Sequence, residues 1–180
     1  MKRAIRIEGK RLGTFKEIQN FLAILDDCYN KAYALDFIIE QVCQQVNINK
    51  SERHQRIPRV PRIIKAENII TENDRLTLVK TSFNSPGFWT AIGALNPLET
   101  LRKYIQDVHE RRKDRDYREA QEKEKNNLDI QEQKIRILRD MGVPEEKIRP
   151  LVLMYVIKPR EMLAELESKG LLGNAEIVDL

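Results

Sequence analysis

From Leu98 to Met141 the chain runs for 44 residues without a glycine or a proline. Few features restrict a fold so strongly, because these are the two residues that stop or kink a helix. One helix over this stretch would be a rod of about 66 Å at 1.5 Å per residue. Its ends are amphipathic, through Leu101, Ile105 and Val108 at one end and Leu128, Ile135 and Leu138 at the other. Its middle is not: between His109 and Asn127 only Tyr117 and Ala120 are less polar, so no a/d seam runs through it and a continuous coiled coil does not fit. Charge pairs one turn apart, such as Arg112 with Asp116 and Arg115 with Glu119, would hold this middle helical at a few tenths of a kcal/mol each. At 100° per residue, Ile135 lies roughly 100° round from Leu98, so the rod would connect two separate packing sites. The alternative is two helices with a frayed, charged join.

Clear punctuation flanks the rod. Pro97 opens it, with Asn96 as a cap, and Gly142 and Pro144 stop it. Beyond lie a helix opened by Pro144-Glu145-Glu146, a run from Ile148 to Ile157 that should be buried, and a further helix from Pro159 through Leu166, closed by Gly170. Glu176 to Leu180 reads as an edge strand. Upstream, Ala4, Ile5 and Ile7 suggest a short strand, and Thr14-Phe15-Lys16-Glu17 has the form of a capping box. Ile18, Leu22, Leu25, Tyr29, Ala32, Ile39, Cys43 and Val46 then make an apolar stripe interrupted at Asp36, with a break expected between Asn30 and Asp36. Tyr29, Tyr33, Leu35, Phe37 and Ile38 widen the apolar surface there, and so wide an arc marks a central helix. Arg75 to Phe83 alternates as a second strand, with Leu76 and Leu78 on one face and Thr77, Val79 and Thr81 on the other. Phe88, Trp89, Ile92 and Leu95 read as a short helix or an ordered aromatic loop, and would form a contact surface if exposed.

The fold class expected from these pieces is α+β and predominantly α. A small strand-helix-strand head would occupy residues 1–96, with a linker at 50–65, followed by a long charged helix at 97–141 and a helical cap at 142–180.

The linker carries the sharpest pattern. Lys50, Arg53, Arg56, Arg59, Arg62 and Lys65 recur at every third position around Pro58 and Pro61. In polyproline II, with three residues per turn, Arg56, Arg59, Arg62 and Lys65 fall on one edge and Ile57, Val60 and Ile63 on the next. The segment's local charge is +5, since Glu52 alone opposes six basic groups, and this exceeds the +4 of the whole chain. Residues 91–180 are balanced at 17 basic and 18 acidic groups, so any pull on an anionic partner is local to the linker.

Chemistry-bearing motifs are sparse. Gly9-Lys10-Arg11-Leu12-Gly13-Thr14 resembles a phosphate loop, but Thr14 stands where the lysine after the last glycine is needed. His109-Glu110 begins like a zinc-protease helix, but Lys113 replaces the second histidine. Two distant histidines and no cysteine pair at ligand spacing offer no metal site, and no cofactor is expected. Cys28 and Cys43 lie in apolar helical surroundings and read as reduced core thiols. Asp26, Asp27, Asp36 and Glu40 could line a polar notch on the first helix. The N-terminus has no secretory-type apolar stretch, and the longest apolar run, Leu151 to Ile157, is too short to span a bilayer, which makes a cytoplasmic location the expectation.

Two functions follow. The first is a non-enzymatic protein–protein interaction module, an adaptor or a self-associating scaffold that binds another protein or a second copy of itself. Leu101, Ile105, Val108, Leu128, Ile135 and Leu138, joined by Phe88 and Trp89, would make its contacts, either within the chain or across a dimer. The second is nucleic-acid binding through Arg53, Arg56, Arg59, Arg62 and Lys65, directed at the backbone because no aromatic residue interleaves with the cations. A PxxP ligand at Pro58–Pro61 matches weakly, since Gln55 and Ile63 stand where a flanking arginine belongs.

Overall fold

The computed structural model describes residues 3–9, 13–51, 58–60, 68–82, 87–116 and 129–180, with side chains described outside 48–51 and 111–132. Strand β1 (Arg3–Gly9) leads into helix α1 (Phe15–Ser51), and a 3₁₀ turn (Glu72–Asp74) precedes β2 (Thr77–Ser82) and β3 (Gly87–Ile92). Helices α2 (Leu95–Asp116), α3 (Asp129–Asp140) and α4 (Glu145–Val152) follow, then a π-helical segment (Leu153–Ile157), α5 (Lys158–Ser168) and β4 (Ala175–Asp179). The four strands form one antiparallel sheet in the order β2-β3-β1-β4.

Helix α1 organises the molecule. The capping box forms: the Thr14 N–H donates to Glu17 Oε2 at 2.7 Å and the Glu17 N–H to Thr14 Oγ1 at 3.2 Å. The break expected between Asn30 and Asp36 does not occur. No glycine or proline lies between Phe15 and Ser51, and the wide apolar surface that suggested a break is divided between two cores. Phe21, Leu25, Cys28 and Tyr29 pack with Ile5 and Ile7 of β1, with Leu98, Leu101, Tyr104, Ile105 and Val108 of α2, and with Leu163 and Leu166 of α5. One to four turns further on, Ala34, Leu35, Ile38 and Val42 pack with Ile135 and Leu138 of α3, Ile148 and Leu151 of α4, and Tyr155 and Val156 of the π segment.

The sheet turns one face to the first core. Ile5 stands opposite Ala91 and Ile177, and Ile7 opposite Trp89 and Ala175, so these six share a face. Arg6, opposite Thr90 and Glu176, lies on the other face, where it pairs with Glu176 at 3.3 Å and sits 5.2 Å from the Phe88 ring centroid. Three expectations change. Phe88 and Trp89 are in a strand, not a helix or loop, because their side chains alternate between the two faces of the sheet. Strand β4 pairs with β1, so the head is not confined to residues 1–96 and the C-terminal residues complete its sheet. In β2, an irregularity between Leu78 and Lys80 puts Thr81, opposite Trp89, on the face of Leu78, which stands opposite Ala91.

Two glycines end helices with the same hydrogen-bond pattern. Gly142 (φ 78°) donates to the Arg139 carbonyl at 2.9 Å while Val143 reaches back to Leu138 at 3.1 Å. Gly170 (φ 71°) donates to Glu167 at 2.9 Å while Leu171 reaches Leu166 at 3.1 Å. Both are Schellman ends, whose left-handed residue tolerates glycine best. Their apolar pairs fall in different cores, Val143 with Leu138 in the second and Leu171 with Leu166 in the first.

The expected cap is a single helical run from Glu145 to Ser168 that widens to π pitch just before Pro159. A proline ring clashes with the carbonyl four residues back, and widening the turn relieves it. Whether 98–141 is one rod lies outside the described residues, because residues 117–128 join its two halves.

Candidate functional site

On α1, Tyr33, Asp36, Phe37 and Glu40 are spaced i, i+3, i+4 and i+7, which places them within an arc of about 100°. Facing them is the joint between β3 and α2, Ala94-Leu95-Asn96-Pro97. Together these eight residues line an open cleft of about 280 Å³. Pro97 is buried, whereas Glu40 and Leu95 are exposed, Leu95 by 42%.

Polar contacts hold both walls. The Tyr29 hydroxyl donates to the Asp74 carbonyl and accepts the Ala94 N–H at 2.7 Å. One turn along, the Tyr33 hydroxyl donates to Asp74 Oδ2 at 3.2 Å, and Thr71 Oγ1 donates to the same oxygen at 2.8 Å. Two tyrosines thus pin the 3₁₀ turn to α1. Burial, then the hydrogen bond to Asp74, pushes the Tyr33 phenol above its ordinary value, so it remains a neutral aromatic group. Asp36 forms an ion pair with Lys134 of α3, which also donates to Thr100 Oγ1 at 3.0 Å; that hydroxyl in turn donates to the Asn96 carbonyl at 3.0 Å. This relay joins α1, α3 and the first turn of α2. Asp36 Oδ2 has no hydrogen-bond partner among the described residues. Glu40 Oε1 accepts from Gln44 Nε2 at 3.4 Å, and among the described residues Glu40 has no cationic partner.

The polar notch expected on α1 is therefore half assembled. Asp36 and Glu40 enter the cleft. Asp26 instead accepts from Asn30 at 3.0 Å, and Asp27 pairs with Lys31 at 2.6 Å. Sequence reasoning counted Tyr33 and Phe37 only among the residues that widen the apolar surface of α1, although their spacing with Asp36 and Glu40 could have shown a shared face. The Ala94–Pro97 wall carries no comparable signal.

Of the cationic ruler, Lys50 falls in the last turn of α1 and not in the linker, Arg59 is described, and Arg53, Arg56, Arg62 and Lys65 lie outside the described residues. The Arg59 N–H donates to Gln45 Oε1 at 2.8 Å and the Arg59 carbonyl accepts from Gln45 Nε2 at 3.1 Å. Pro58 is buried and Val60 packs on the second core, while the Arg59 side chain is exposed.

Leu101, Ile105 and Val108 are buried in the first core, Ile135 and Leu138 in the second. Leu128 lies outside the described residues. Burial within the chain is one of the two placements the pattern allowed, and it leaves these five no surface for a partner. Trp89 packs on the first core, its ring centroid 5.7 Å from that of Phe21, and Phe88 is half-buried beside Arg6 on the other face. Other apolar side chains stay exposed on edge strand β2 (Leu78, Val79) and on the π segment (Leu153, Ile157).

Among the described residues no helix is long and apolar enough to cross a membrane, and no group of three or more metal-ligating side chains forms. Comparison with protein-family models, with curated proteins and with solved structures gives no match.

Proposed function

We propose that this chain is a non-enzymatic interaction module, an adaptor that receives a segment of another protein in the cleft between α1 and the start of α2. The observation that carries this reading is the composition of the cleft. An exposed leucine at the rim, two aromatic side chains one turn apart and an exposed carboxylate converge on about 280 Å³, where most other polar groups are already tied to one another. Amphipathic concavities of this kind suit a partner's side chain. Burial, then the bond to Asp74, raises the Tyr33 phenol above its ordinary value, and Asp36 is paired with Lys134, so the lining favours binding over proton transfer.

Panning a random peptide display library on the protein, with the Leu95→Asp and Phe37→Ala variants as controls, tests the reading. Peptides that bind the parent chain and lose most of their affinity for both variants are the expected result. If the enriched peptides bind all three proteins alike, the cleft is not the receiving surface. A light-scattering mass of a dimer that falls to a monomer in Leu95→Asp would identify the partner as a second copy.

A second reading, backbone-directed nucleic-acid binding through Arg53, Arg56, Arg59, Arg62 and Lys65, is favoured by one observation. Gln45 holds the Arg59 main chain against α1 while the guanidinium stays exposed. Phosphate contacts release counterions, so affinity for a mixed-sequence oligonucleotide would fall linearly with salt on a log–log plot, and Arg59→Gln would reduce the slope by about 0.9. An oligonucleotide that fails to bind at low salt would remove this reading.

A further inference from the structure

We propose that the cleft lined by Tyr33, Phe37 and Glu40 binds a protonated primary amine on an aliphatic stem, the chemistry of a lysine side chain. The inference rests on the cleft being the receiving surface, and it names what enters it.

Size, walls and charge lead to the same ligand. At about 280 Å³ the cleft lies below the usual range of roughly 300–1,000 Å³ for pockets that enclose a drug-sized molecule, and suits one long side chain. Phe37, Leu95 and Pro97 offer apolar surface to a methylene stem, and the two aromatic residues attract a cation through their ring faces. Two carboxylates line the cleft and one lysine, Lys134, offsets them. Asp36 is the carboxylate that lysine neutralises. The negative charge left over is therefore that of Glu40, which is exposed and has no cationic partner among the described residues. An anionic or neutral ligand would leave that charge unanswered.

The same contacts favour an ammonium over a guanidinium. A guanidinium binds best through two parallel bonds to both oxygens of one carboxylate. At neither carboxylate are both oxygens uncommitted. Asp36 Oδ1 is engaged by Lys134 and Oδ2 is shielded from solvent, while Glu40 Oε1 already accepts from Gln44. Glu40 Oε2 accepts from none of the described residues, and a single oxygen of that kind suits a compact point charge.

The experiment is a titration of the ¹⁵N-labelled full chain, followed by amide chemical shifts, with three probes: N-acetyl-lysine methylamide, N-acetyl-norleucine methylamide and cadaverine. The expected result is saturable shifts at Phe37, Glu40 and Leu95 with the lysine probe. The norleucine probe, which lacks the ammonium, should bind about tenfold more weakly, and so should the lysine probe to Glu40→Gln. Glu40 is exposed, and the amide spectrum of the variant itself reports whether it folds. Cadaverine binding more tightly than the lysine probe would point to a free diamine as the source of the amine, and the reverse order to a protein side chain. Equal binding of the lysine and norleucine probes, or no effect of Glu40→Gln, would overturn the amine assignment. If display peptides still bound in a Leu95-dependent way, the interaction module would stand without it; if they did not, both would fall.

Discussion

The hydroxyl of Tyr104 donates a 2.9 Å hydrogen bond to the main-chain carbonyl of Tyr155. That carbonyl would take its α-helical partner from residue 159, which is a proline and has no N–H to give. A side chain of α2 thus ties itself to the backbone of the C-terminal helical run beside the proline. Arg160, whose guanidinium carbon lies 5.6 Å from the Tyr104 ring centroid and 3.5 Å (Nε) from Asp107 Oδ2, adds a second tie between the same helices.

Tyr104→Phe keeps the ring and removes one donor to the buried Tyr155 carbonyl. The expected loss is about 0.5–1.5 kcal/mol. Urea denaturation should show a lower midpoint with an unchanged m value. A variant that unfolds at the parent's urea concentration would mean that the carbonyl finds another donor.

At Gly93 the Tyr29 side chain passes so close that a Cβ would lie 2.6 Å from its hydroxyl oxygen and 2.9 Å from Cζ. Gly93→Ala should therefore displace Tyr29 and break its bonds to Asp74 and Ala94. Overpacking of this kind costs about 1–3 kcal/mol. The variant should be less stable, and the Ala94 amide should lose its protection from hydrogen exchange. Unchanged exchange at Ala94 would show that Tyr29 does not depend on the gap.

Burial, reinforced by Asp27 and opposed by Lys31, pushes the Cys28 thiol from 9.0 up to about 12. The Tyr29 phenol moves from 10.0 to about 12, again through burial first, with the Ala94 hydrogen bond opposing. Both groups are neutral when protonated, so the folded chain keeps protons that the unfolded chain releases. Their contribution to stability is complete below pH 9 and is lost as pH rises towards 12. Chemical denaturation at pH 8, 10 and 11 should show a progressive fall. At pH 8 a thiol reagent should modify half-buried Cys43 well before buried Cys28, and equal rates at the two would contradict this placement.

Gln45 acts on the linker as a strand neighbour would, offering one donor and one acceptor to the main chain of Arg59. Gln45→Ala should raise amide exchange at Arg59 roughly tenfold, the equivalent of one net hydrogen bond of about 1.4 kcal/mol. Exchange elsewhere on α1 should stay as it is, because Gln45 lies on the helix surface. An Arg59 amide that exchanges equally fast in both proteins would show that the clamp does not form in solution.

Much of the secondary structure was legible in the chain. Thr14 and Glu17 announced a helix start, Gly142 and Gly170 announced two ends, and the alternation at Ala4, Ile5 and Ile7 announced a strand. Each signal is local, written in residues within one or two turns of one another. The position of Phe88 and Trp89 was not legible, because a short aromatic run has no period of its own and becomes a strand only when β1 and β2 pair with it. The continuity of α1 was hidden for a related reason. An apolar surface around most of a helix looks like disorder in the pattern until two cores are found to share it.

The candidate site divides along the same line. Sequence by itself determined that Asp36 and Glu40 lie on one face of α1, since helical spacing alone places them there, and that Tyr33 and Phe37 lie beside them. Only the tertiary structure decided which carboxylate is left without a cationic partner among the described residues. Lys134 comes from α3, nearly a hundred residues away, and neutralises Asp36, while the Ala94–Pro97 joint closes the second wall. Such contacts depend on which elements the two cores bring together, and burial of apolar surface acts between elements without regard to their distance along the chain.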